Sequence, residues 1–151
     1  MRRAIDIIKQ PRLLVLKEIE HLSTEQLNKI PQGFNNNIAW NMGHMIAAQQ
    51  GICYKRSGLD TTVGEDFFNT YKPGSKPEKF IDEAEIAFIK EQLFISLEKL
   101  EADLDKGIFG NYTQVMTRYG IELNNIDEAV AFLPFHEGFH VGYIVALRRL
   151  V

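Results

Sequence analysis

A stripe of apolar residues runs through residues 81–105, and it limits the possible folds more than any other feature of the sequence. The stripe repeats at intervals of three and four residues and comprises Ile86, Ile89, Leu93, Leu97, Leu100 and Leu104. Apolar residues at this spacing lie on one face of an α-helix, and that face has to be buried against other elements. The sequence therefore predicts a long amphipathic helix that packs within a helical fold.

Three other segments carry helical signals, and we predict helices over residues 4–22, about 37–56 and 125–149. The apolar stripe of the first comprises Leu13, Val15, Ile19 and Leu22. Pro11 and Pro134 fall inside the first and last of these helices and are predicted to bend or restart them, since proline removes a backbone donor. Four amphipathic helices predict an all-α fold of the four-helix-bundle type.

The two long connections carry different signals. Residues 57–80 are rich in glycine and proline, which predicts a long irregular crossover. A packed crossover is preferred to a substrate lid, and the aromatic residues expected to pack it over one end of the core are Phe67, Phe68 and Tyr71. Residues 111–123 alternate weakly around Tyr119-Gly120 and predict a short hairpin or an irregular loop.

The composition is that of one soluble domain, and we predict a single domain over residues 1–151. Apolar residues make up 45% and charged residues 25% of the chain, as in ordinary globular proteins. The net charge of −3 and the lack of a basic face argue against nucleic acid or an anionic membrane as the main partner. No apolar run approaches the roughly 18 residues of a membrane span. The single cysteine, Cys53, excludes an internal disulfide framework and indicates a reducing cytoplasm.

Two histidines, His136 and His140, lie one helical turn apart in the last predicted helix. At this spacing two side chains share one face, with their Cβ atoms about 5–6 Å apart, so that both imidazoles can bind one ion. Their face is otherwise apolar or aromatic and comprises Ala129, Phe132, His136, His140, Tyr143, Leu147 and Leu150. An unpaired polar group in an apolar setting costs about 1–3 kcal/mol, so buried imidazoles need partners. A metal ion would be such a partner.

His44 is the third candidate ligand, since it lies on a helix face of small residues below Trp40. Three neutral imidazoles would leave at least one coordination position open, as catalytic metal sites do. The alternative is three histidines that hydrogen-bond to backbone or water in an ordinary core, and spacing alone favours the two interpretations equally. His21, in the last turn of the first helix, is predicted to be a surface residue.

The sequence His136-Glu137-x-x-His140 also matches the zincin motif, in which a glutamate is the general base. A third ligand downstream would have to lie within residues 141–151, which contain no His, Asp or Glu. The longer metzincin motif fails as well, because Tyr143 stands where glycine is required and Ala146 where histidine is required. We therefore disfavour a metallohydrolase.

Several short motifs, in this order and at this spacing, resemble those of the DinB-like (YfiT-like) proteins. They are Ser23-Thr24-Glu25-Gln26-Leu27, Pro31-x-Gly33, Asn36-Asn37-Ile38-Ala39-Trp40, Gly43-His44, Tyr119-Gly120-Ile121-Glu122 and His136-Glu137-Gly138-Phe139-His140-Val141-Gly142. The first of them also has the pattern of a helix-capping box. Together the motifs span nearly the whole chain.

The resemblance implies a four-helix bundle with up-down-down-up connectivity and a long crossover, usually assembled as a homodimer. It also implies a divalent metal ion, zinc or nickel among others, held by His44, His136 and His140. The chain departs from the family at Tyr143, where glutamine is common, and this affects contacts behind the ligands or with the substrate. Glu137 is common in the family and is the one catalytic candidate, although its helical position suits a group behind the ligands or a surface group as well as a base.

The superfamily that the motifs resemble includes thiol S-transferases that use bacillithiol, mycothiol or glutathione, and a mycothiol-dependent isomerase. The leading hypothesis is therefore a cytoplasmic metal-dependent enzyme that transfers a small thiol to an electrophile. Trp40, Phe139 and Tyr143 would line its pocket or serve only in packing. The second hypothesis is a non-catalytic, dimeric metal-binding module associated with stress, and the third is the zincin-type metallohydrolase.

Overall fold

The computed structural model describes residues 1–151 and consists mainly of α-helices. In chain order the elements are α1 (Arg2–Glu18), α2 (Thr24–Asn28), α3 (Ile38–Cys53), α4 (Glu65–Tyr71), α5 (Glu83–Asp105), β1 (Val115–Met116), β2 (Glu122–Leu123) and α6 (Ile126–Arg148). A 3-10 turn, Lys55–Ser57, follows α3. The all-α class predicted from the sequence is confirmed, and the short hairpin predicted within residues 111–123 forms from β1 and β2.

The four long helices enclose the core between them. Helix α1 packs against α5 and α6, and α3 packs against the same two helices, so each long helix has two long neighbours. Helix α3 is also covered by α2 and α4, and every residue from Ile38 to Gln50 is buried. A helix enclosed on all sides has to satisfy its polar side chains inside the protein. The central polar side chains of α3 are Asn41, His44, Gln49 and Gln50.

Side-chain caps fix where four of the helices begin. The capping box predicted at Ser23 is confirmed, because Ser23 and Gln26 each bond the other's backbone N–H. Asn37 accepts a hydrogen bond from the Trp40 backbone at the start of α3, and the corresponding caps of α5 and α6 are Asp82 and Asn125. Such caps satisfy backbone donors that the first turn leaves free.

The crossover between α3 and α5 differs in part from the irregular connection predicted for residues 57–80. It contains helix α4, which begins after Gly64, whose φ of 82° is accessible to glycine at little cost. The seven residues of α4 are too few for a recognisable periodicity between the flanking glycines and prolines. Tyr71 is fully buried, and Phe67 and Phe68 pack against the same core. The expectation of a packed crossover is therefore confirmed.

The buried face of α1 agrees with the stripe predicted from the sequence at Val15 and Ile19 and differs from it at Leu13. Leu13 is 51% exposed. The face that meets the core comprises Ile5, Ile8, Arg12, Val15 and Ile19. Pro11 lies inside α1 and Pro134 inside α6, and neither interrupts its helix, so the predicted restarts do not occur.

Helix α6 is the one helix that is long and apolar enough, by length and composition, to cross a membrane. It is not an unbroken apolar run, however, since its central part contains His136, Glu137 and His140, all of them buried. It also packs against α1 and α3. These are the properties of a core helix in a soluble protein.

The single cysteine, Cys53, is the last residue of α3 and is fully buried. Burial raises the pKa of its thiol to about 12, because a thiolate is poorly solvated among apolar groups. The thiol therefore stays protonated at neutral pH.

Arg12 occupies a core position of α1 and is fully buried. Its Nε and Nη2 donate hydrogen bonds to the two carboxylate oxygens of Glu137, at 3.0 and 2.6 Å. Nη2 also donates to Oε1 of Gln49, and Nη1 donates to the Leu93 carbonyl and to Oγ of Ser96. The acceptors belong to α3, α5 and α6. One side chain of α1 thereby ties the four long helices together.

We predict that Arg12→Leu lowers the free energy of unfolding by about 3–5 kcal/mol, because it leaves the Glu137 carboxylate buried without its counter-charge. The double variant Arg12→Leu/Glu137→Leu should recover part of this loss, since it leaves no unpaired charge. Urea denaturation of the purified variants measures both changes.

The matched control is Arg2→Leu, which removes an arginine from the exposed pair with Asp105. Exposed pairs contribute little to stability, so its denaturation midpoint should stay close to that of the wild type. Equal midpoints for Arg12→Leu and Arg2→Leu would contradict the role assigned to the buried pair.

Candidate metal centre

Three histidines from two helices meet in the interior. His44 comes from α3, and His136 and His140 come from consecutive turns of α6. One ring nitrogen of each lies within 4.8 Å of those of the other two. The ring centroids are 5.4 Å apart for His44 and His136, 4.7 Å for His44 and His140, and 4.5 Å for His136 and His140. The structure thus brings together the three residues that the sequence singled out as candidate ligands.

The crossover fixes the orientation of the His44 ring. Nδ1 of His44 lies 2.7 Å from the backbone carbonyl of Tyr71, the last residue of α4. A carbonyl oxygen can only accept, so Nδ1 carries the proton and Nε2 keeps its lone pair. Metal-binding histidines are usually held in this way, with the second ring nitrogen donating to a carbonyl or a carboxylate.

Asn41 fixes the orientation of the His140 ring in the same way, by accepting a hydrogen bond from Nδ1. Nδ1 of His140 lies 2.9 Å from the Oδ1 atom of Asn41, one turn before His44 on α3. The amide nitrogen of Asn41 donates to the Asn36 side chain and to the Asn37 carbonyl, which determines the orientation of that amide. Its oxygen is therefore the acceptor, His140 donates from Nδ1, and Nε2 of His140 is free to bind a cation.

The third ring has a buried polar atom without a partner. Nδ1 of His136 is inaccessible to solvent and makes no hydrogen bond. An unsatisfied group of this kind costs about 1–3 kcal/mol. An ion bound through this nitrogen would be the partner that it lacks, and two rings with defined lone pairs beside a third with an unsatisfied nitrogen fit a divalent cation.

Burial keeps all three rings neutral. It lowers the pKa of His44, and it lowers those of His136 and His140 to about 3 and about 2, with the neighbouring imidazoles adding to the effect on both. Protons compete with metals for imidazole nitrogens. At neutral pH the cluster therefore offers unprotonated ligands.

Two of the three aromatic residues predicted to line a pocket lie against the cluster. The Trp40 ring stacks on His44 with centroids 4.6 Å apart, and the half-exposed Phe139 ring lies 5.5 Å from that of His140. Tyr143 instead packs edge-on against Phe34. A role for any of them in binding a substrate stays a prediction.

The cluster is close to solvent without lying on the surface, since the three histidines retain exposures of 6%, 6% and 7%. Two surface cavities of about 390 and 570 Å³ lie elsewhere, and neither is lined by a residue of the cluster. The fourth histidine, His21, is exposed as predicted.

Glu137 does not face the cluster as a catalytic base would. Its side chain is fully buried, and both of its carboxylate oxygens accept hydrogen bonds from Arg12. A zincin requires this glutamate to take a proton from a metal-bound water, and a carboxylate engaged in this way is unsuited to that task. A surface role is equally wrong, and Glu137 acts as the counter-charge of Arg12.

Sequence reasoning missed the residues that support the histidines. Arg12, Asn41 and Tyr71 carry no motif of their own. Arg12 did give a local signal, because it stands at a core position in the apolar spacing of α1 and a charge there needs a buried partner. No comparable signal in the sequence indicates that the Tyr71 carbonyl reaches His44.

The sequence model of the DinB superfamily matches residues 8–144 of this chain. The chain belongs to the DinB superfamily. The matched range includes all three clustered histidines and confirms the resemblance drawn from the motifs. A comparison with curated proteins found no match. DinB membership and the buried cluster are together compatible with metal binding.

We predict that Gly43→Ala weakens metal binding although it changes no ligand. A Cβ atom at Gly43 would lie 2.5–2.7 Å from atoms of the Tyr71 ring, so Tyr71 must move, and its carbonyl holds His44. Isothermal titration with zinc should give a lower affinity, and thermal unfolding a lower Tm.

Gly142→Ala is the matched control on α6, because a Cβ atom there meets nothing within 4 Å. Alanine is favoured over glycine inside a helix by up to about 1 kcal/mol, so this variant should bind zinc normally and be as stable as the wild type or slightly more so. Equal zinc affinities for the two variants would contradict the role of the close approach at Gly43.

The metal-free protein should lose stability as the pH falls below about 6.5, the pKa of histidine in an unfolded chain. The folded protein keeps His136 and His140 neutral down to about pH 3. Between these values the unfolded state binds more protons, so the free energy of unfolding decreases with decreasing pH. Urea denaturation at pH 7 and pH 5 measures the decrease, which should be smaller in His136→Leu. The same decrease in both proteins would be inconsistent with this origin.

Proposed function

We propose that this protein is a divalent-metal-dependent enzyme that transfers a small thiol to an electrophile in the cytoplasm. The observation that carries the proposal is the cluster of three neutral imidazoles whose nitrogens converge within 4.8 Å. Two of the rings are held with a free Nε2 lone pair by Tyr71 and Asn41. Zinc or nickel is the proposed ion, since imidazole nitrogens suit both.

Some residues of the centre would bind the ion, and others lie beside the ligands. His44, His136 and His140 would hold the ion, and three protein ligands leave a position for a substrate atom. When bound, the ion would lower the pKa of a thiol and so supply a thiolate at neutral pH. Trp40 stacks on His44 and Phe139 lies beside His140, where they would limit the access of water. In the overall reaction the sulfur bonds to the electrophilic carbon, the leaving group departs with its bonding pair, and the thiol proton passes to the solvent.

A non-catalytic metal-binding module is the second candidate. The near-complete burial of the three histidines favours it, as does the engagement of Glu137 with Arg12, since this leaves no free carboxylate beside the rings. In either case we propose a four-helix bundle of up-down-down-up connectivity that assembles as a homodimer. The zincin alternative is set aside because of the position of Glu137.

The first test is metal content by mass spectrometry after purification without a histidine tag. Wild-type protein should carry about one equivalent of a divalent metal, and His44→Ala and His140→Ala should carry far less. His21→Ala is the matched control, because it removes an exposed histidine and should leave the metal content unchanged. Protein that stays free of metal after incubation with zinc or nickel would overturn both candidate functions.

A second experiment distinguishes an enzyme from a non-catalytic binding module. Conjugation of small thiols to monobromobimane is followed by fluorescence for the wild type, His136→Ala and His21→Ala. A rate above the uncatalysed one that is lost only in His136→Ala supports the transferase. Full metal content with no rate enhancement would favour the non-catalytic module.

A further inference from the structure

The turn between β1 and β2 carries an arginine that no residue of the protein neutralises. Arg118 is exposed and takes part in none of the ion pairs of the structure. The turn itself is well defined, because the Thr117 N–H donates to the Ile121 carbonyl and the Ile121 N–H donates back to Oγ1 of Thr117. The guanidinium is thus presented on a closed turn rather than on a loose loop.

Aromatic contacts fasten this turn to α6 beside the three histidines. The ring of Tyr119 lies 6.1, 5.1 and 5.8 Å from those of Phe132, Phe135 and Phe139. Two of these rings also lie beside the cluster. The centre of the Phe132 ring is 6.2 Å from that of His136, and the centre of the Phe139 ring is 5.5 Å from that of His140. The guanidinium of Arg118 stands 5.8 Å above the centre of the Tyr119 ring. Arg118 is therefore connected to the candidate metal centre through the Tyr119 ring and the phenylalanine rings that contact His136 and His140.

Arg118 is the one charged group that acts on all three histidines of the cluster. The positive charge of Arg118 contributes to the lowered pKa of each of the three histidines, and Arg12 contributes at His136 alone. Arg12 is neutralised by its ion pair with Glu137, whereas Arg118 takes part in no ion pair. A divalent cation would add to this positive field, which therefore favours ligands that carry negative charge.

We propose that Arg118 is a specificity-determining residue that binds the carboxylate of an anionic thiol whose sulfur occupies the open position at the three-histidine centre. The inference rests on the proposed function, since the arginine has this role only if the centre accepts a thiol. Guanidinium groups pair with carboxylates through two parallel hydrogen bonds. An exposed arginine without a protein partner has these donors available. The preferred substrate is then a thiol that carries a carboxylate a short distance from its sulfur.

The test measures the binding of thiols of different charge to cobalt-loaded protein under anaerobic conditions. The probes are mercaptopropionate, mercaptopropanol and aminopropanethiol, which have similar lengths and carry a negative, a neutral and a positive end group. Binding of sulfur to the cobalt ion gives a charge-transfer absorption band, and titration of this band gives a dissociation constant. Wild-type protein should bind mercaptopropionate most tightly.

Arg118→Gln should reduce the preference for mercaptopropionate over mercaptopropanol by about tenfold, the size expected for one charge-assisted contact. Any direct contact between the carboxylate and the cobalt ion is the same in both proteins and cancels in this comparison. Arg118→Lys should retain part of the preference, and Arg118→Glu should shift it toward aminopropanethiol. The control is Arg149→Gln, which removes an exposed, unpaired arginine just after α6 and should behave as the wild type.

The outcomes distinguish this inference from the function on which it rests. Cobalt-loaded protein that gives no charge-transfer band with any of the thiols would overturn both. A band in every protein, with the same charge preference in the wild type and in Arg118→Gln, would overturn the role of Arg118 and leave thiol binding in place.

Discussion

The buried ion pair between Arg12 and Glu137 is the interaction on which the rest of the structure depends. Removal of two charges from water costs several kcal/mol per ion, and the pair persists because the remaining donors of the guanidinium are satisfied as well. These acceptors lie on different helices, so the pair also sets how those helices meet. Glu137 directly follows His136, and each residue turns a helix by about 100°. Because Glu137 points toward α1, His136 points toward another helix. That helix is α3, which carries His44.

His44 and His140, the two histidines held by a hydrogen bond, are each oriented by an element other than their own. His44 of α3 donates to the end of α4, and His140 of α6 donates to Asn41 of α3. The long crossover thus takes part in the centre although it carries none of the candidate ligands. Gly43 makes this possible, since only a residue without a Cβ lets the Tyr71 ring approach α3 so closely. The centre depends on the packing of three elements and not on the two ligand-bearing helices alone.

The sequence predicted those features that are determined over a few neighbouring residues. The long helices and the common face of His136 and His140 follow from spacings of three and four residues, and His44 was identified from its place among small residues on a predicted helix face. Helix α4 was missed because it is too short for periodicity. Arg12 and Glu137 are separated by 125 positions, and His140 and Asn41 by 99, so no local pattern indicates that they meet. The sequence therefore left the role of Glu137 open, and the structure identifies Arg12 as its partner.

The position of Cys53 has a consequence for a protein proposed to handle thiols and electrophiles. Electrophiles and disulfides react with thiolates, and the one cysteine of this chain is buried and stays protonated at neutral pH. A reactive compound that enters the centre therefore meets no thiolate of the chain that holds it. Burial also withholds the Cys53 thiol from exchange with a small disulfide while the chain is folded. One route of covalent self-inactivation, through the chain's own cysteine, is thereby closed to the compounds that its centre would take.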